Sequence, residues 1–178
     1  MAQHMMHYQP SCQSHGVTLV ELVCTLAVML VVLQGGLTLF GDLLPSTRLT
    51  SDTNLVVGLL AEARRHALGR EPVMVCAANS DCTRFSTSDG LMLVVDRNHN
   101  QQRDTDEDIL AQIQLHPHTQ ISWHSFRNRP NLTYHNNGLS YFQNGHLLLC
   151  TPKGASKVVL NWIGRAHVEK ANLSACST

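Results

Sequence analysis

Hydrophobic and polar positions divide the chain into a polar N-terminal stretch, one long apolar run, and a longer region in which short apolar runs alternate with polar ones. The long run, GVTLVELVCTLAVMLVVLQGGLTLF, extends from Gly16 to Phe40 and contains one carboxylate, Glu21. A charged side chain costs roughly 2.5–3.5 kcal/mol at the centre of a membrane-spanning helix, so Glu21 needs a partner that neutralises it. The pattern predicts a transmembrane or assembly helix over residues 17–45.

A secretory signal peptide and an ordinary membrane anchor are the two simpler interpretations of this run. A signal peptide has an apolar core of about 7–15 residues and small residues at its cleavage site, and the run from Val17 onward is longer than that. An ordinary anchor does not account for a glycine followed by an isolated carboxylate at this spacing. Both interpretations are therefore less favoured.

The next segment, STRLTSDTNLVVGLLAEARRHALGR, has hydrophobic positions at helical spacing. A helix buries such a stripe, with intervals of three and four residues, against its neighbour. The stripe consists of Leu49, Val56, Leu60, Ala63 and Ala67. Ser46 is a suitable N-cap, and Gly69 followed by Pro72 marks the end. We predict an amphipathic helix over residues 46–71 that continues into the globular domain.

Beyond Pro72 the apolar runs become short, and turn signals such as Asn-Gly separate them. The predicted strands are Val73–Cys76, Leu91–Asp96, Ile109–Leu115, Thr119–His124, Leu132–His135, His146–Thr151 and Lys157–Ile163. Strands that follow one another in this way form antiparallel sheets with one face on a helix and one in water. Residues 72–178 are therefore predicted to be one antiparallel β domain, and the fold class is α+β.

Charge is distributed unevenly along the chain, although the formal net charge is zero. Acidic residues exceed basic ones between Glu71 and Asp108. From Ile109 to Thr178, Glu169 is the only acid and six residues are Lys or Arg. The last third is thus the basic part of the chain.

Four of the six cysteines lie in the predicted globular domain: Cys76, Cys82, Cys150 and Cys176. Three pairings are possible, and free thiols are the alternative. We favour Cys76 with Cys82, because five intervening residues form a closable loop, and Cys150 with Cys176, which would hold the C-terminal tail. Disulfides indicate an oxidising compartment. Zinc is not expected, because no CxxC or usual histidine spacing occurs.

Several segments occur in an order that is known from one family. EARRHALGREPVMVC and a cysteine loop are followed by GLMLVVDRNHNQQRDTDEDIL, NGLSYFQNGHLLLC and KVVLNWIGRAH. Together with the Gly16 and Glu21 layout of type IV prepilins, this series resembles the FimT and GspH group of minor pilins and type II secretion pseudopilins. The resemblance covers essentially the whole chain, and it implies a pilin-like fold in which a long N-terminal helix packs on antiparallel sheets.

The resemblance also implies how the chain is processed. Residues 1–16 would be a leader that a prepilin peptidase removes between Gly16 and Val17, and the new N-terminus would be methylated. The freed amine of one subunit would neutralise Glu21 of its neighbour, which makes Glu21 an assembly residue. Other pilin subunits and the bacterial inner membrane are the implied partners. The globular domain is expected in the periplasm, on a single-pass anchor.

A DNA contact is implied by the stretch Gly164-Arg165-Ala166-His167. It resembles the Gly-Arg-x-Arg stretch that contacts DNA in the FimT branch, which is associated with DNA uptake in natural transformation. Arg165 matches the first Arg, and His167 replaces the second, so binding is expected to be weaker and pH-dependent. Double-stranded DNA is therefore a candidate partner. Further cations could extend the patch: Lys153, Lys157 and Lys170.

Two points about this patch stay open in the sequence. Phosphate neutralisation dominates non-specific DNA binding, but a mildly basic, solvated sheet face has the same composition. Trp162 is either a platform for base stacking or, more commonly for a Trp in an apolar run, a core residue.

One polar segment has the ligand spacing of an EF-hand calcium loop. Its ligand positions are Asp96, Asn98, Asn100, Gln102, Asp104 and Glu107. Gln101 occupies the position of the central Gly, which makes the sharp turn, so we expect a polar hairpin tip between two strands. Weak calcium binding is the alternative.

Catalysis is not expected, because the chain has no Gly-x-Ser-x-Gly elbow, phosphate loop or metalloprotease His-Glu pair. No cofactor is expected, and the scattered histidines are interpreted as surface residues. The favoured function is a minor pilin that joins a type IV pilus-like filament and either contacts DNA during uptake or aids pilus biogenesis. A type II secretion pseudopilin of the H type is the alternative, and a stand-alone calcium-binding or adhesive periplasmic domain is a third interpretation.

Overall fold

The computed structural model describes residues 16–85 and 87–177, without the side chains of 35–45 and 177. The predicted leader, except Gly16, lies outside these residues. The chain divides into two compact units, Met1–Gly41 and Asp42–Thr178. One helix, α1, is assigned to Leu19–Ala67 and contributes residues to both units.

In the first unit, α1 begins at Leu19 and is capped by Thr18, whose Oγ1 accepts a hydrogen bond of 3.3 Å from the Glu21 backbone N–H. The large apolar side chains between Val17 and Leu33 are 53–80% exposed. In the part of the chain that the structure describes, no helix is both long enough and apolar enough to cross a membrane.

The second unit contains the C-terminal part of α1, eight strands and a short 3-10 helix. The strands are β1 (Val73–Ala77), β2 (Gly90–Val95), β3 (Ile109–Gln114), β4 (Gln120–Ser125), β5 (Leu132–Tyr134), β6 (Gly145–Thr151), β7 (Gly154–Leu160) and β8 (Ala166–Ala171). The 3-10 helix covers Leu173–Ser177. Each of the seven predicted strands overlaps an observed one, and β8 was not predicted.

All strand pairs are antiparallel and form two four-stranded sheets. Sheet A has the order β3-β2-β1-β5, and sheet B has the order β4-β6-β7-β8. The chain passes from sheet A to sheet B between β3 and β4, and β5 returns to sheet A. The predicted α+β arrangement is therefore present, with its antiparallel strands divided between two sheets.

One core joins the second part of α1 to both sheets. The predicted helical stripe is confirmed for Val56, Leu60, Ala63 and Ala67, which are at most 1% exposed, and Leu49 packs at the margin. Sheet A contributes side chains such as Leu93, and sheet B contributes others on the inner face of its strands. Tight packing of this kind makes large-to-small substitutions costly.

The strand predicted over Lys157–Ile163 ends earlier than expected, at Leu160. Residues 161–165 form the turn to β8, in which Asn161 Oδ1 accepts a hydrogen bond of 2.8 Å from the Arg165 backbone N–H. Gly164 has φ +77°, and a Cβ at this position would lie 2.6 Å from the Gly138 carbonyl oxygen. The turn therefore requires glycine at this position. The sequence did not indicate the turn, because the hydrophobic run continues beyond the end of the strand.

Candidate functional site

On the outer face of sheet B, Glu169 contacts two of the residues that were predicted to bind DNA. Lys157 and Glu169 are paired residues of β7 and β8, with Nζ and Oε2 2.6 Å apart. His167 Nε2 lies 3.1 Å from the other oxygen of Glu169. The hydrogen bond from Lys157, and then that from His167, holds the pKa of the Glu169 carboxyl below its usual value. Two of the five predicted DNA-contacting residues thus already contact an acid.

The other three predicted contacts lie in different places. Lys153 is in the turn between β6 and β7, whereas Arg165 is in the turn between β7 and β8, at the opposite end of β7. Lys170 follows Glu169 on β8, so its side chain points to the other face, since successive side chains of a strand alternate. The structure does not bring the five cations into one patch.

Three loops do come together at the end of sheet B that contains Arg165. Ser125, Gly145, Leu160 and Ala166 are paired across the sheet, so the loops 126–131, 135–144 and 161–165 leave from the same end. We call these three loops the loop end of sheet B. It includes Arg165, but it excludes Lys153 and Lys157.

Hydrogen bonds hold the loop end together. The Phe126 backbone N–H donates to the Asn144 carbonyl at 2.9 Å, and the Ser140 hydroxyl donates to the Asn161 carbonyl at 2.9 Å. Ser140 is buried, and so is Gln143, whose side-chain oxygen accepts the Thr133 backbone N–H. These hydrogen bonds hold the backbone of the loop end in place, and with it the exposed side chains that the backbone carries.

Aromatic and cationic side chains are exposed on the loop end. Trp162 is 61% exposed, so the expectation that it belongs to the core is wrong. Arg127 lies over the Phe142 ring, with Cζ 4.4 Å from the centroid. Sequence reasoning named only Arg165 and Trp162 here. The available signal was the composition of FRNRP and SYFQN between strands, which has aromatic and basic residues and no acid.

A groove of about 420 Å³ lies beside the loop end, between α1 and the turn that contains Arg165. Arg64, Arg165 and Tyr134 are among the residues that line it. The Tyr134 hydroxyl is buried and has no hydrogen-bond partner among the described residues. Burial raises the pKa of this phenol, and the positive charge of Arg64 opposes the shift.

Both favoured cysteine pairs are disulfides in the structure. Cys76 and Cys82 close the loop after β1, and Cys150 of β6 is bonded to Cys176 in the 3-10 helix. The second bond attaches the C-terminal segment to sheet B, as the sequence suggested. Cys24 is a free, exposed thiol.

The segment with EF-hand spacing forms the loop between β2 and β3. Asp96 is 1% exposed and accepts backbone N–H groups from Asn100 at 3.1 Å and Gln101 at 3.2 Å. Glu107 accepts the backbone N–H groups of Arg97 and Asp104, at 3.0 and 3.2 Å. The two carboxylates thus organise the loop backbone themselves.

Gln101, at the position of the EF-hand glycine, adopts a left-handed backbone conformation with φ +60°. The side-chain amides of Asn98 and Asn100 both donate to Asp104, each at 2.7 Å. Among the described residues, no group of three or more His, Cys, Asp or Glu is arranged to hold a metal ion. The loop is a hydrogen-bonded hairpin tip.

Two histidine contacts were not foreseen. His116 Nδ1 lies 2.7 Å from the buried Asp52 carboxylate, and the rings of His124 and His146 stack with centroids 5.0 Å apart. The interpretation of the histidines as surface residues therefore did not include the contacts that these three histidines make. An acid on the apolar side of a predicted helix, such as Asp52, was the available signal.

A family model described as type II transport protein GspH matches residues 52–164, which is more than half of the chain. Among solved structures, the type IV minor pilin FimU of Pseudomonas aeruginosa strain PAO1 is similar, with a TM-score of 0.50 and 15% sequence identity. This similarity covers 73% of the chain and 92% of FimU, and it confirms the predicted pilin-like fold. No curated protein sequence matches the chain.

Proposed function

Because the chain belongs to the GspH family of type II transport proteins, we propose that it is a minor pilin or pseudopilin that joins a periplasmic filament after removal of its leader at Gly16. The family match confirms the resemblance to the FimT and GspH group. This function is structural, and it requires no catalysis by the chain and no cofactor.

The exposed apolar surface of the first unit is the observation that carries this proposal. Its large side chains from Val17 to Leu33 are more than half exposed. Covering apolar surface contributes about 25 cal/mol per Å², so this segment is stabilised by lipid before assembly and by neighbouring helices in a filament. The inner membrane and other pilin subunits are the surroundings that supply this cover.

Glu21 supports the same proposal, because its carboxylate has no partner among the described residues. The Thr18 side chain accepts a hydrogen bond only from the backbone N–H of Glu21. A Val17 amine freed by the peptidase on a neighbouring subunit would neutralise the carboxylate, and an uncompensated buried charge would disfavour any other register.

The test uses the full chain, produced in cells with and without a prepilin peptidase. Mass spectrometry should show loss of residues 1–16 and one added methyl group only when the peptidase is present. Glu21→Gln should be processed but should enter filaments less than wild type, because it keeps the shape and loses the charge. Thr18→Val, which removes the cap and keeps the charge, is the matched control. An uncleaved chain in the presence of an active peptidase would overturn the proposal.

DNA contact during uptake is a second function, and the acid-free loop end favours it. Arg127, Arg129 and Arg165 all belong to the loop end, and none of the three forms an ion pair with a carboxylate of a described residue. Lys157 and His167 are weaker candidates, because Glu169 engages both. We therefore centre the proposed duplex contact on Arg165.

Gel retardation of duplex DNA by the detergent-solubilised full chain tests this contact. Arg165→Ala should weaken binding at low salt, whereas Lys153→Ala, at the opposite end of β7, should change it less. Equal retardation by wild type and Arg165→Ala would refute the contact and would leave the filament proposal intact. The secretion alternative makes a different prediction, because a deletion strain would then lose an exported protein and keep transformation.

A further inference from the structure

The exposed aromatic side chains of the described residues all lie on the loop end of sheet B. They are Phe126, Tyr141, Phe142 and Trp162, which are 80, 38, 62 and 61% exposed. Tyr141 contacts the His135 ring, and Phe142 lies under Arg127. No ring or guanidinium of a described residue covers Trp162 or Phe126. Exposing four aromatic rings in one place costs free energy that a binding partner would recover.

The charge of the same surface indicates the kind of partner. The three loops contain Arg127, Arg129 and Arg165 and no Asp or Glu. Interfaces between proteins also use aromatic residues and Arg and are depleted of Asp and Glu, so a protein partner is the alternative that the experiment has to exclude. Three arginines without a single acid are complementary to a polyanion.

We propose that the loop end of sheet B binds single-stranded DNA, with bases stacked on Trp162 and Phe126 and phosphates held by Arg127, Arg129 and Arg165. The proposal rests on the DNA contact proposed above, and it names the form of DNA that is bound. β6 lies between the strands that lead to the two rings, so their loops begin about 10 Å apart. Two bases of one strand, separated by one or more nucleotides, can therefore use the two rings.

The aromatic rings distinguish single strands from duplexes. Bases in a duplex are already stacked on one another, whereas unpaired bases expose faces that can stack on Trp, Tyr or Phe. Arginine alone contacts the phosphates of both forms. A surface that bound only the phosphates of a duplex would not need exposed aromatic rings.

The experiment measures binding of a fluorescent dT20 strand and of a 20-base-pair duplex to the full chain in detergent, by anisotropy at several salt concentrations. The dT20 strand should bind more tightly. Trp162→Ala and Phe126→Ala should each weaken binding of dT20 by about 5- to 150-fold and change duplex binding little. Arg165→Ala should weaken both. With three arginines engaged, the log–log salt slope for dT20 should be about −2.

Two controls separate stacking from general damage. Trp162→Phe keeps an aromatic ring and should retain most of the dT20 affinity. Leu173→Ala removes an exposed apolar side chain beyond the far end of β8 and should have no effect.

The outcomes distinguish the two proposals. Duplex binding without a preference for dT20, unaffected by Trp162→Ala, would overturn the single-strand inference and leave the duplex contact standing. Binding of dT20 alone would support the inference and refute the duplex contact. If neither the dT20 strand nor the duplex binds at low salt, both DNA proposals are refuted, and the exposed rings mark an interface with another protein.

Discussion

Asp52 of α1 binds His116, at the crossing from sheet A to sheet B. The carboxylate is 1% exposed, lies 2.7 Å from His116 Nδ1 and accepts the His116 backbone N–H at 3.2 Å. A single helical acid thus fixes the position of the loop between β3 and β4. Because both sheets pack on the same helix, this contact determines how the chain leaves one sheet and enters the other.

Asp52→Ala should lower the free energy of unfolding by about 1.5–3 kcal/mol, because the variant loses hydrogen bonds to a charged acceptor and leaves a backbone N–H unpaired. Urea unfolding followed by circular dichroism measures this change. Ser51→Ala, on the exposed side of the same turn, should change stability by less than about 0.5 kcal/mol. Equal effects of the two substitutions would show that the contact contributes nothing.

The stability of the fold should decrease below pH 7 in part because of His146. Desolvation, and then the nearby His124 and Lys157, lower the pKa of His146 below its ordinary value of 6.5. The unfolded chain therefore binds a proton that the folded chain resists, and the free energy of unfolding falls as the pH drops through 6.5 toward the lowered pKa.

Urea unfolding at pH 7.5, 6.5 and 5.5 checks this dependence. His146→Gln should flatten the profile, whereas His118→Asn, in the exposed loop before β4, should leave it as in wild type. Asn is the suitable control because His118 has φ +71°, which Asn tolerates. Parallel profiles of wild type and His146→Gln would contradict the assignment.

Tyr134→Phe should leave stability unchanged or raise it by about 1 kcal/mol, because the buried hydroxyl has no partner and pays the cost of desolvation. Thermal unfolding measures the effect. Tyr141→Phe, at an exposed position, serves as the comparison. A clear loss of stability in Tyr134→Phe alone would mean that the hydroxyl is satisfied, for instance by water.

Removal of the Cys150–Cys176 disulfide should destabilise the fold by about 3.5 kcal/mol, because the bond closes a loop with a sequence separation of 26 residues. The shorter Cys76–Cys82 loop, with a separation of 6, predicts a smaller entropic contribution of about 2 kcal/mol. Paired Cys→Ala variants, compared by chemical denaturation without reductant, measure both. A larger loss from the shorter loop would show that packing of the buried sulfurs outweighs chain entropy.

The sequence predicted most of the fold because its periodicities are strong. The buried stripe of Val56, Leu60 and Ala63 appears at helical spacing, and seven strands coincide with short apolar runs. β8 was missed because AHVEKA has only one large apolar residue, Val168, so its strand pairing depends on the neighbouring β7 rather than on its own pattern.

The candidate site was only partly predictable, because spacing along a chain does not show which side chains meet. Lys157 and Glu169 are twelve positions apart and pair through strand register. Likewise, Phe126 and Trp162 share one end of sheet B only because β4 and β7 flank β6. The Gly-Arg stretch identified Arg165 but not its neighbours.

The edge position of β8 has a consequence for polymer growth. An unpaired sheet edge invites another chain to add a strand, and charged residues on the edge oppose this addition. Glu169 and Lys170 lie side by side on β8 and point to opposite faces, so a strand approaching this edge meets a charge on either side. In the proposed filament, subunits would therefore stack through their N-terminal segments and not fuse laterally through this sheet.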